Sequence, residues 1–91
     1  MASQEPTRAQ VETARARHPG LLLLFRVSDT YRAYGDHALL LTSLLGDAVR
    51  LDPATGSIPA CASVSASQLD RHLAGLLRAG HRIALCEPVG E

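Results

Sequence analysis

Lysine is missing from this chain altogether, and so is tryptophan. All nine basic residues are arginines, and nine acidic residues balance them to a formal net charge of zero. Such a chain has no bulk attraction to nucleic acid or to an anionic membrane, although arginines can still gather on one face. Aromatic side chains are almost absent: Phe25, Tyr31 and Tyr34 are the full set. The core must therefore be built from Leu, Val, Ile and Ala. The longest apolar run, Leu21 to Phe25, is far too short to span a bilayer. Met1 to Pro6 is polar, carries an acid and has no apolar stretch, so a secretory signal is not expected there. Only two cysteines occur, Cys61 and Cys86, without metal-ligand spacing. Both have apolar neighbours, which predicts buried free thiols in a reducing cytoplasm.

The same absences bear on chemistry. A phosphate-binding P-loop needs a lysine after its glycines, and Gly75 and Gly80 have none. A metal-dependent nuclease core needs strand acids and a lysine that organises the attacking water. Here Asp29, Asp36 and Asp52 stand where turns and helix caps want them. His18, His37, His72 and His81 show no paired-ligand spacing. Cys86 neighbours Glu87, but adjacent strand residues point to opposite faces, so no thiolate partner is evident. The expectation is a non-catalytic protein with no metal and no cofactor.

What is present reads as one domain over residues 1–91, with residues 1–5 expected to be flexible. Pro6 suits the first turn of a helix running to about Arg17, and His18-Pro19-Gly20 stops it. Leu21 to Val27 reads as a buried strand. Ser28-Asp29 make a tight turn into a second strand, Thr30 to Tyr34. Thr30, Arg32 and Tyr34 are expected on one face of it, Tyr31 and Ala33 on the other. Asp36 can cap a helix with Ala38, Leu41, Leu44 and Leu45 on its buried side and Gly46 at its end. Short strands are expected at Ala48 to Leu51 and Ser57 to Val64. Ser67 to Asp70 has the form of a capping box before a helix burying Leu69, Leu73, Leu76 and Leu77. A last strand runs from Arg82 to Glu87. The order α-β-β-α-β-β-α-β predicts an α/β (α+β) fold, a mixed β-sheet flanked by about three helices.

Several pieces of this sequence have a familiar look. Pro6 and Gln10 match a Pro-x-x-x-Gln helix entry, with Arg15 where a lysine is usual. His18-Pro19 follows. Leu22 through Tyr34 resembles a stretch usually written LLFYRMGDFYELF, and Asp36 and Ala38 match what comes next. Leu73 to Leu77, Gly80 and Ile83 to Glu91 resemble L-x-x-L-x-x-x-G-x-x-V-A-I-C-E-Q-x-G-D. In order and spacing, these resemble the N-terminal domain, domain I, of the MutS mismatch-repair family. The resemblance implies that family's fold and a link to DNA.

It also implies where a mismatch reader would stand. The family's Phe-x-Glu motif lies in the second strand: its Phe wedges beside a mismatched base and its Glu hydrogen-bonds that base. The matching positions are Thr30 and Arg32. Threonine has no ring to stack, and arginine has no acceptor and the opposite charge. The family's Gly-x-Pro-x-His stretch also looks lost, with Ser63 to Ser67 in its place. The family's clamp, core and ATPase domains have no counterpart in these 91 residues, so a stand-alone domain I-like protein is expected. Two functions stay open. One is weak association with DNA, not mismatch-selective, through Thr30 and Arg32 with Arg26 as a phosphate contact. The other is a protein-interaction module, for a partner or a second copy, that kept the fold without nucleic-acid binding.

Overall fold

A computed structural model of the chain describes residues 6–87. The flexible start expected over residues 1–5 lies outside them, as do the last four residues of the family-like C-terminal stretch.

Helix α1 spans Arg8–Arg17. Thr7 caps it: its side chain accepts the Gln10 N–H at 3.1 Å, and the Gln10 side chain accepts the Thr7 N–H at 2.8 Å. Pro6 therefore precedes the cap rather than opening the first turn. Alanines and one valine give α1 little to bury, and no residue in it is fully buried.

Strand β1 (Leu22–Val27) follows, then β2 (Thr30–Tyr34). Leu22, Leu23, Leu24, Phe25 and Val27 are all buried, so β1 is covered on both faces, as an unbroken apolar run requires. The Ser28-Asp29 turn joins β1 to β2 as an antiparallel hairpin, pairing Val27 with Thr30, Arg26 with Tyr31 and Phe25 with Arg32. Ser28 holds φ at +59°, and it is the one non-glycine among the described residues with positive φ. A left-handed backbone costs a residue with a Cβ about 1–2 kcal/mol.

Helix α2 (Asp36–Leu45) starts at Gly35, whose φ of +63° and ψ of −130° suit glycine alone. Asp36 is thus the first helical residue rather than the cap, and its carboxylate sits at the positive end of the helix. Ala38, Leu41 and Leu45 are buried, Leu44 partly so, and Gly46 ends the helix as its sequence suggests. A 3-10 turn over Gly46–Ala48 leads to β3 (Arg50–Asp52). Strand β4 is Cys61–Ser65. Both strands begin later than the sequence predicts. Pro53 and Pro59 have no N–H to give to a ladder, and between them lies a loop closed by mutual Thr55–Ile58 backbone bonds.

Helix α3 covers Ala66–Arg78. Its cap is Ser65, whose side chain accepts the Gln68 N–H at 3.2 Å, so the Ser67–Asp70 box lies inside the helix. Ser65 can leave the sheet as a cap because the next amide, Ala66, donates to the Asp29 carbonyl at 2.9 Å. Leu69 and Leu76 are buried and Leu73 half-buried, but Leu77 is exposed. The stripe 69, 73, 76 fills the buried arc, and the next residue turns about 100° away from it. Ala79-Gly80 end the helix, and β5 is Ile83–Cys86.

The five strands lie in the order β3-β4-β2-β1-β5. Only β1 and β5 pair in parallel, which makes the sheet mixed. Helices α2 and α3 pack on one face of it. The main core lies there: Leu22, Leu24, Tyr31, Ala33, Ala62 and Val64 from the strands meet Ala38, Leu41, Leu45, Leu69 and Leu76 from the helices. Among the described residues, no helix is long and apolar enough to cross a membrane.

Two substitutions test this frame by urea denaturation. Leu69 is fully buried, so Leu69→Ala should cost about 2–5 kcal/mol. Ser28→Gly should add about 1 kcal/mol by relieving the left-handed turn, and a loss of stability would show that the turn is not strained.

Candidate nucleic-acid interface

The turn of the β1–β2 hairpin decides how its side chains are shared out. Residues paired across two antiparallel strands point to the same face. Arg26 pairs with Tyr31, whose ring is in the helix-side core. Arg32 pairs with Phe25 and Thr30 with Val27, so both project from the opposite face. The structure therefore separates the two hairpin arginines, and Arg26 and Arg32 share no continuous face.

Arg26 is held in place by its own strand end. Its Nε donates to the Ser28 carbonyl at 2.6 Å, bracing the turn. Its guanidinium carbon lies 5.3 Å from the centre of the Tyr31 ring, within cation–π range. A longer contact of 3.4 Å runs to the Tyr31 hydroxyl, which in turn donates to Glu87 Oε2 at 3.4 Å. Fixed at the turn with delocalised donors, Arg26 is suited to a phosphate, with Glu87 nearby as a competitor.

Thr30 is half-buried and turned inward chemically: its hydroxyl donates to the Val27 carbonyl at 2.8 Å. Arg32 is half-buried and its Nε is fully so. Neither tyrosine is an open stacking platform. Tyr31 is buried in the core, and Tyr34 is half-buried with its ring tilted against Phe25 at 5.8 Å.

A shallow groove of about 470 Å³ lies where α1 flanks the end of β2, lined by Arg8, Val11, Arg15 and Tyr34 among others. Close by, His37 does something its sequence did not announce. Its Nδ1 accepts the Leu23 N–H at 3.2 Å, so the ring carries its proton on Nε2. Burial first, then the Arg15 charge, push the imidazole below its usual pKa of 6.5, against an opposing pull from Asp36. No sequence spacing points to this contact, because it joins a helix start to a strand fourteen residues away.

The cysteines offer no reactive centre. Cys61 on β4 and Cys86 on β5 are thiols rather than a disulfide, and both are half-buried, less covered than the sequence predicts. Three strand spacings, about 14 Å, separate their strands, beyond the reach of a disulfide. Burial and then the Glu87 charge push the Cys86 thiol up, the reverse of what a nucleophilic thiolate needs. Among the described residues, no group of three or more His, Cys, Asp or Glu is placed to hold a metal.

A mixed five-stranded sheet with two helices on one face and a hairpin carrying polar residues on the other defines a small α+β domain. The profile of the MutS domain I family matches residues 5–91, and the chain belongs to that family. It is 37% identical over 89 residues to the DNA mismatch repair protein MutS of Treponema pallidum, covering 98% of this chain and 9% of that protein. The corresponding protein of Salinibacter ruber is 36% identical over 86 residues, covering 92% of this chain and 9% of its own length. That of Parabacteroides distasonis is 34% identical over 85 residues, again 92% of this chain and 10% of its own length. The chain thus spans about a tenth of the length of these relatives.

The His37 contact sets a pH dependence with a definite sign. Its folded pKa lies below the unfolded 6.5. The unfolded chain therefore takes up that proton first, and the contribution is full above pH 6.5 and lost as pH falls below it. At pH 7.5, His37→Ala should cost about 1 kcal/mol, as expected for one neutral hydrogen bond. The gap to wild type should narrow at pH 5.5. Urea melts at both pH values check this, and a gap that widens on acidification would refute it.

Proposed function

We propose that this chain is a non-catalytic DNA-associating domain of the mismatch-repair class that binds duplex weakly and without mismatch selectivity. The observation that carries the reading is the pair of residues at the reader positions. Thr30 and Arg32 face together out of β2, where the family motif has Phe and Glu. The neighbours of that pair, Asp29 and Tyr31, still match the motif. What is lost is a ring that wedges between bases and an acceptor that reads one of them.

What is kept favours the phosphate backbone. Arginine donates in a fixed fork that matches phosphate oxygens. Contacts of this kind position a protein on duplex but carry no sequence information. With a net charge of zero, few phosphates can be neutralised, so binding should be weak and fall as salt rises, with a slope set by the small number of phosphates contacted. A cytoplasmic location goes with this reading.

A second reading has an observation of its own. On the helical side, Leu39 and Leu40 of α2 are 56% and 40% exposed, and Leu77 of α3 is 52% exposed. Leu40 also borders a shallow groove with Leu21, Gly80 and His81. Exposed leucines of this number on a small domain favour a protein partner or a second copy. Light scattering that shows a monomer, together with affinity capture that repeatedly returns no partner, would count against it.

Fluorescence anisotropy in low salt, with matched and mismatched duplexes, tests the first reading. Wild type should bind both equally. No binding at about 100 µM protein, where even non-specific contacts at physiological salt register, would sink the proposal. The double variant Thr30→Phe with Arg32→Glu should introduce a preference for the mismatched duplex. A mismatch preference already present in wild type would show that these two positions do not govern reading.

A further inference from the structure

The two edges of the sheet are built differently. Among the described residues, the order β3-β4-β2-β1-β5 leaves β3 and β5 each with a neighbour on one side only. Strand β3 is three residues long, carries the exposed Arg50 and Asp52, and runs into Pro53. Shortness, charge and proline keep an edge from pairing with another chain. Strand β5 has neither charge nor proline: it reads Ile83, Ala84, Leu85, Cys86, and Leu85 is 41% exposed. The groups on its open side are also defined. The ladder pairs Leu22 with Ile83 in parallel, and the Leu22 amide donates to the Arg82 carbonyl at 2.8 Å. Ala84 therefore turns its N–H and C=O to β1, while Ile83 and Leu85 turn theirs outward. Those outward groups call for partners.

The edge is complementary to itself. Two β5 strands related by a twofold axis perpendicular to the sheet run antiparallel, with one residue facing its own copy across the axis. An axis at Ala84 pairs Ile83 with Leu85 of the second copy, and the reverse. Each of these pairs exchanges both backbone bonds, because both residues face outward. Ala84 then meets its copy at a non-hydrogen-bonded position, where Cα atoms approach to about 4.5 Å and a methyl group fits. Side chains match as well. Ile83 packs against the helix-side core, so Leu85 and Glu87 share its face. The register lays Ile83 on Leu85 of the other copy and covers that exposed leucine. Carried to the ends, it sets the half-buried His81 opposite the exposed Glu87, an imidazole against a carboxylate. Arg82, on the other face, comes opposite Cys86. An axis at Leu85 would also match outward groups, but it sets the apolar Ile83 against Glu87 and is the poorer register.

We propose that this domain pairs with a second copy of itself through β5, the two five-stranded sheets joining edge to edge about an axis at Ala84. This rests on the second reading in taking another copy as the partner, but it uses the sheet edge instead of the leucines of α2 and α3. It is independent of the DNA reading. Strands this short bury less than the about 1,200 Å² of a stable interface, so the dimer is weak and forms at high protein concentration.

Sedimentation velocity on the full chain, from about 10 µM to about 1 mM, tests the pairing. Wild type should move from monomer toward dimer across that range. Leu85→Arg places a charge on the open edge and should weaken association several-fold. Leu85 is exposed, so the fold should hold, which far-UV circular dichroism checks. Leu40→Ala on α2 should match wild type. The register has its own test. Arg82→Cys sets a thiol opposite Cys86 of the second copy at a non-hydrogen-bonded position, within disulfide reach. Within one chain, positions 82 and 86 are about 13 Å apart, too far to bridge. In oxidised glutathione this variant should give a covalent dimer joined between position 82 and Cys86, mapped by mass spectrometry. Arg78→Cys, at the exposed end of α3, should give no link to Cys86. Wild type that stays monomeric at about 1 mM overturns the proposal. So does an association that Leu40→Ala removes and Leu85→Arg leaves untouched, which would leave the second reading standing on the helical side. A dimer in which Arg82→Cys forms no link to Cys86 overturns the pairing about Ala84.

Discussion

The register of the β1–β2 hairpin is the constraint on which the rest of the molecule depends. A two-residue turn at Ser28 and Asp29 sets it, at the expense of a left-handed backbone at Ser28. A slip of one residue would exchange every side chain between the two faces. Tyr31 and Ala33 would leave the core, and Thr30 and Arg32 would enter it. Arg26 reinforces the register from outside the ladder by holding the Ser28 carbonyl while its guanidinium lies on the ring of Tyr31. The Asp29 carbonyl then receives the first amide of α3, so the same turn also fixes where that helix begins.

From that register follows the separation of roles between the two sheet faces. The helix-side face is apolar apart from Arg26, which shares it with Tyr31. The opposite face carries hydroxyls and arginines over β2, β4 and β3, beside the buried Leu23, Phe25 and Val27 of β1. At the far end of β1, beyond the hairpin ladder, the Leu23 amide is taken by His37 instead of by a strand. A half-buried imidazole thus completes backbone hydrogen bonding that the β1–β2 ladder, whose last pair is Phe25 with Arg32, leaves open. Electrostatics here is local rather than global: a chain of zero net charge still places two arginines in one row across three strands.

Elements governed by short-range chemistry were legible from residues alone. The buried strand at Leu22–Val27, the turn at Ser28-Asp29 and the alternation of Thr30 to Tyr34 needed only period-2 reading and a bounded apolar run. The leucine stripes of α2 and α3 emerged from 3.6-residue spacing, although Leu77 proved to lie just outside the arc. Caps were harder. Thr7, Gly35 and Ser65 hold those positions, one or two residues from Pro6, Asp36 and Ser67. Several neighbouring residues could cap, and the choice is made by where the preceding strand or loop delivers the chain. The bounds of β3 and β4 were less legible because β3 is only three residues, Arg-Leu-Asp, and β4 is Ser- and Ala-rich, so each carries little hydrophobic signal of its own.

By itself the sequence determined the composition of the core, the α+β class, the membership suggested by motifs in order, and the identity of the residues at the reader positions. These are properties of local pattern, and local pattern survives in a linear string. Only the tertiary structure decided that Arg26 and Arg32 look in opposite directions, that His37 completes β1, and that Arg32 stands in line with Ser63 and Arg50. Each of these joins strands or helices distant along the chain. Such neighbours are set by which strands pair and in which register, and that choice is made by burying the whole core at once.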